Sequence, residues 1–171
     1  MSYDIYMFKK LEGKSVVDSS EEVLESDDLN ALSWEDFEKQ KIILTKELKD
    51  KNPSFVVYDS WECLELTLEN EGIQIWVYNN QIAISMAFWH EWEEAENNFK
   101  KIFNYLKIIS NETKYSIYDS QEDSEIELSQ WIEKFLVSYG YGIKVTKDII
   151  NNESNMKTKK GFFERIIDIF K

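Results

Sequence analysis

The amino-acid sequence predicts an α+β fold, a mainly antiparallel sheet with two long helices packed on one apolar face. Three observations carry this reading. Residues 54–89 alternate apolar and polar side chains in runs separated by turn residues, the period-2 signature of half-buried strands. Residues 33–50 and 91–109, on either side of that stretch, each place apolar residues at helical spacing. The length suits a single domain over residues 1–145, with 146–171 as a polar linker and a C-terminal amphipathic helix.

At the start, Tyr3–Phe8 reads as a short strand. Ile5 and Met7 share one of its faces and Tyr6 and Phe8 the other, as in an inner strand buried on both sides. Residues 12–32 are acidic, and the expectation there is an irregular loop with one short helix at Glu21–Leu24. Its carboxylates, Glu21, Glu22, Glu25, Asp27 and Asp28, read as a solvated face rather than a metal site. Ser33 is a good N-cap, with Asp36 three residues on in an imperfect capping box. The helix it opens carries Trp34, Phe37, Leu44 and Leu48, with Ile42 and Ile43 expected to widen the stripe. It ends near Asp50, because Asn52-Pro53 bars continuation.

The centre of the chain is a three-stranded meander over about 55–89. Asn79-Asn80 predicts a two-residue hairpin turn, since Asn tolerates positive φ. That turn pairs Tyr78 with Gln81, Val77 with Ile82, Trp76 with Ala83, Ile75 with Ile84 and Ile73 with Met86. Closing Leu68 onto Ile73 around Glu69–Gly72 pairs Leu66 with Ile75 and Leu64 with Val77. Both hairpins then place nine aliphatic side chains on a single face, and a slip by one residue would send every Leu to the other. The opposite face collects Cys63, Glu65, Thr67, Gln74, Trp76, Tyr78, Ala83, Ser85 and Trp89. It is either covered by a loop, a terminal segment or a helix, or left as a recognition surface with Trp and Tyr as anchors.

A helix from about Glu91 to Ile109 follows, with Trp92, Ala95, Phe99, Ile102, Phe103, Leu106 and Ile109 in one stripe. Glutamates crowd its first turns and lysines come later, which complements the helix dipole. Tyr115–Tyr118 and Glu125–Leu128 read as a hairpin joined by Asp119–Ser124. Ser129 then caps a further helix, ended by Gly140 and Gly142. Phe162, Phe163, Ile166, Ile167, Ile169 and Phe170 fall at amphipathic spacing in the last segment.

Charge and composition narrow the functional classes. The chain has a net charge of −13 and a pI near 4.6. That opposes nucleic-acid binding through phosphate neutralisation and favours a basic partner. One cysteine excludes an intramolecular disulfide and any multi-cysteine zinc site. The N-terminus lacks signal-peptide features and no apolar run is long enough to span a bilayer, so the expected location is cytoplasmic, without stable membrane insertion.

Candidate chemistry is sparse. His90 is the only histidine and sits at a strand-to-helix junction, where a local capping role is the simpler reading. Cys63 is flanked by Glu62 and Glu65, which oppose a reactive thiolate. Asp119, Gln121, Asp123 and Glu125 resemble the start of a calcium loop but lack its Gly at position six and Glu at position twelve. No phosphate-binding glycine loop, nucleophile elbow or HExxH occurs. The expectation is a non-enzymatic protein with no cofactor, no metal and no catalytic residue.

SYDIYMFKK, the acidic loop, the meander with its following helix, KYSIYDSQ and the basic aromatic tail KKGFFERIIDIFK together resemble small bacterial proteins of immunity or uncharacterised type. Such proteins are found beside secreted polymorphic or contact-dependent toxins. Tyr118–Gln121 is similar to a Tyr-Asp-Pro-Gln pattern of that group, with Ser120 in place of Pro. The resemblance implies direct binding and neutralisation of a cognate toxin, whose toxic domain could be basic. Trp76, Tyr78, Glu65, Glu25, Asp27 and Asp28 are the expected contacts. The alternative is a scaffolding module that recruits a partner or membrane through Phe162–Phe170, a segment that docks on the domain, a partner or a membrane.

Overall fold

The strands follow from their alternation. In the computed structural model, which describes residues 2–87 and 92–129, seven strands form one sheet. The elements in chain order are β1 (Ser2–Phe8), α1 (Val16–Val23), α2 (Trp34–Lys51), β2 (Val56–Asp59), β3 (Leu64–Leu68), β4 (Ile73–Val77), β5 (Gln81–Ala87), α3 (Trp92–Thr113), β6 (Ser116–Asp119) and β7 (Ser124–Glu125). Across the sheet the order is β2-β3-β4-β5-β1-β6-β7, and every pairing is antiparallel. The fold is α+β, as the sequence predicts. The expected features at Trp89 and His90, the helix after Ser129, the linker and the C-terminal segment lie outside the described residues.

The meander has the expected register: Leu66 lies opposite Ile75, Ile75 opposite Ile84, and Ile73 opposite Met86. All nine aliphatic side chains of that face are buried. A further strand, β2, precedes the meander within the same stretch. Its turn into β3 closes through Ser60, whose backbone N–H donates to the Cys63 carbonyl at 2.9 Å and whose Oγ accepts from Cys63 N at 3.1 Å. Gly72 holds the left-handed conformation (φ 59°) that ends the 3₁₀ turn between β3 and β4, a backbone state that favours glycine.

Helices α2 and α3 pack over the apolar face through Phe37, Leu44 and Leu48 on one and Ala95, Phe99, Ile102, Leu106 and Ile109 on the other. Asn52 Nδ2, at the end of α2, donates to Tyr105 Oη on α3 at 3.1 Å. Two expectations about α2 are corrected. Ile42 and Ile43 do not widen its buried stripe, being 69% and 44% exposed, and Trp34 is exposed as well. The place between Phe37 and Leu44 is filled by Lys41, only 3% exposed. Lys41 Nζ reaches Glu38 at 2.6 Å, Asp59 at 2.7 Å and the Ser60 carbonyl at 2.9 Å. The stem therefore packs like an aliphatic residue while the ammonium ties α2 to the end of β2.

The N-terminal third differs most from expectation. Residues 12–32 hold a real helix, and it lies at Val16–Val23 rather than Glu21–Leu24. Ser15 caps it in a full capping box with Asp18. Its apolar side, Val16 and Val23, packs with Phe8 and Tyr118 as a second, smaller core on the outer face of the sheet. β1 is accordingly covered on both faces only at its Phe8 end; Tyr6, expected to be buried with Phe8, is half-buried, as are Ser2 and Asp4 on the same face.

Candidate functional site

Alternation sends Glu65, Trp76, Ala83, Tyr6 and Tyr118 to the outer face, where the strand registers align them in one row. Helix α1 covers the Tyr118 end of the row. The Trp76 end forms the floor of a groove of about 1370 Å³. That exceeds the roughly 300–1,000 Å³ of a typical small-molecule pocket, so the groove suits a macromolecular surface better.

Its walls come from elements distant in sequence. Gln74 and Trp76 are supplied by β4, Tyr78 by the turn that follows it, Ala83 and Ser85 by β5, and Asp4 and Tyr6 by β1. Trp61 and Glu62, in the turn between β2 and β3, also line it, as does Trp34 at the start of α2. Trp61 is 73% exposed and Tyr78 is 36% exposed, whereas Trp76 is half-buried in the floor.

The acidic loop reaches this groove because the tip of the β4–β5 hairpin holds it. Neither Asn79 nor Asn80 takes the positive φ expected of the turn. Asn80 is instead 2% exposed, and its Nδ2 donates to the Ser26 carbonyl at 2.8 Å and to the Val23 carbonyl at 3.4 Å. The Asn79 carbonyl accepts from Leu32 N at 2.9 Å. The Asn side chain is thus used for hydrogen bonding across the fold, a role that a turn propensity alone does not reveal.

Of the six expected contact residues, Trp76, Tyr78 and Asp27 line the groove. Glu65 is beside it, its Oε1 accepting from Thr67 Oγ1 at 3.0 Å. Burial, followed by the negative charge that Cys63, Glu65 and Tyr6 carry when ionised, raises the Tyr78 phenol above its ordinary pKa. Glu25 and Asp28 are exposed on the same loop but do not line the groove. Trp34, Trp61 and Glu62 do line it and were not among the expected contacts. Trp61 is the one that a sequence signal could have flagged, as a Trp inside a tight turn with no apolar neighbour.

The calcium-like stretch has a structural use. Asp119 is 3% exposed, accepts from Tyr3 Oη at 2.6 Å through Oδ2, and accepts from the backbone N–H of Gln121 and Glu122 through Oδ1. Ser120 Oγ donates to the Asp4 carbonyl at 2.8 Å, and Gln121 Oε1 accepts from Asp4 N at 2.9 Å. YDSQ is therefore stapled to the opening YDIY segment, with its lone pairs turned to protein donors. Among the described residues, no three His, Cys, Asp or Glu side chains come together in a way that could hold a metal ion. None of the described helices is long and apolar enough to cross a membrane. No family model matches the chain, and no curated protein and no solved structure matches it.

Proposed function

We propose that this chain is a non-enzymatic binding protein of the immunity type, which neutralises a cognate bacterial toxin by direct contact through the outer-face groove. One observation carries the reading: the groove joins an aromatic floor and rim to charged residues that, among the described lining, are all acidic. Asp4, Asp27, Glu62 and Glu69 line it, and the described lining residues include no Lys, Arg or His. Aromatic anchors ringed by one sign of charge suit a basic protein partner, with the charges accelerating encounter and the rings holding the complex. The resemblance in the sequence points to the same class of partner.

The direct test is inhibition of the toxin encoded by the adjacent reading frame. Saturating amounts of this protein should abolish toxin activity. Trp76→Ala should weaken binding by tenfold or more, as expected for a central anchor, while the fold measured by circular dichroism stays intact. Undiminished toxin activity at saturation would reject the proposal.

A further inference from the structure

The groove's one-sided charge has a counterpart in the chain itself. Residues 157–171 (KTKKGFFERIIDIFK) contain four lysines and one arginine against one glutamate and one aspartate, a net charge of +3 within a chain of −13. Phe162, Ile166 and Phe170 recur every four residues, with Phe163 and Ile167 beside them, so the sequence pattern offers one apolar stripe. Aromatic rings ringed by carboxylates on one side, and an aliphatic-aromatic stripe flanked by cations on the other, are complementary in both charge and apolar character.

Distance is no obstacle. The chain leaves β7 four strand spacings from β4, about 19 Å at ~4.8 Å per spacing. The 32 residues from 130 to 161 would span about 48 Å even if wound entirely into helix. A tethered segment also meets its site at an effective concentration on the order of millimolar. A second copy of the chain at ordinary concentration competes poorly with that.

We infer that, without a partner, the groove is occupied by the chain's own segment Phe162–Phe170, which a binding partner must displace. The inference rests on reading the groove as a docking surface. It makes the segment a built-in competitor: partners too weak to displace it are rejected, and the aromatic floor is shielded from non-specific contacts.

The test needs no partner, so its failure is distinct from failure of toxin neutralisation. Cys63 is the single cysteine of the chain and faces the groove side of the sheet, which makes it a native site for a nitroxide label. In the full-length labelled protein, amide NMR signals of Phe162–Phe170 should broaden strongly. The broadening should fall with added salt and disappear in the Phe163→Asp, Ile167→Asp double variant. A label at Glu69→Cys in a Cys63→Ser background, an exposed position lining the groove, should give the same pattern. Broadening no greater than in the double variant, from both labels, overturns the inference. So does broadening that appears between a nitroxide-labelled chain and a separate isotope-labelled one, which would make a second copy the occupant.

Discussion

Asp119 shows what one buried carboxylate does here. Burial raises its pKa above the ordinary 3.8, while the Tyr3 hydroxyl and the Glu122 and Gln121 amides pull the other way. A carboxylate whose folded pKa lies above its unfolded value destabilises the fold when ionised, and this cost is relieved as pH falls through the folded value toward 3.8. The stability advantage of wild type over Asp119→Asn should therefore grow on acidification across that window, as read by urea unfolding at a series of pH values. Tyr3→Phe should cost about 1–3 kcal/mol by removing a donor from the buried charge. Lys41 is the opposite case. Burial pulls its pKa down, but the hydrogen bonds to Asp59 and Glu38 outweigh it and leave the ammonium above its usual value. Its contribution is thus complete below about 10.5 and lost only at higher pH. Because the stem is packed and both carboxylates reach solvent, Lys41→Met should retain most of the stability that Lys41→Ala loses, about 2–4 kcal/mol by thermal or urea unfolding.

Elements were legible in the sequence where a period repeats over many residues. The meander register was fixed by nine aliphatic residues that agree with one another, and α2 and α3 by long stripes with a cap or a proline stop. Short or mixed segments were not. Helix α1 has only two buried apolar residues, Val16 and Val23, with buried Ser19 and Ser20 between them, so its inward side reads as polar. Those serines bond backbone carbonyls, Ser19 Oγ at 2.6 Å and Ser20 Oγ at 2.7 Å, which lets a helix side be polar and buried at once. Lys41 escaped notice for a related reason: a lysine in a stripe is scored as exposed, and its partner Asp59 lies 18 residues away. At this scale the decisive contact is the hairpin clamp. Asn80→Ala should cost about 1–3 kcal/mol by orphaning the Ser26 and Val23 carbonyls. Hydrogen exchange should accelerate in residues 24–32 while β4 and β5 stay protected, and uniform protection in the variant would show that the clamp does not hold the loop.

For the molecule as a whole, the sheet divides the labour between its faces. The helix-covered face holds the main core, and Ile75→Ala or Leu66→Ala should cost about 2–5 kcal/mol in denaturant unfolding. Ile42→Ser, on a residue that looks equally apolar in sequence, should stay within about 0.5 kcal/mol because it is already in water. The groove is a property of this scale and could not be read from the sequence. Its floor comes from β4, β5 and β1 and its rims from two loops and the start of α2, and only the assembled sheet brings them together.

β1 lies between β5 and β6, so Ile5 has Ile84 on one side and Asp119 on the other. Translated ahead of both partners, this strand must therefore wait for neighbours some eighty and more than one hundred residues downstream before it has a place to settle. Among the described residues, both strands that pair with β1 are distant in sequence, so no local hairpin shelters it meanwhile. Folding on the ribosome is then expected to be late and all-or-none, and a tag or truncation that disturbs the opening segment will harm the middle of the molecule rather than its edge.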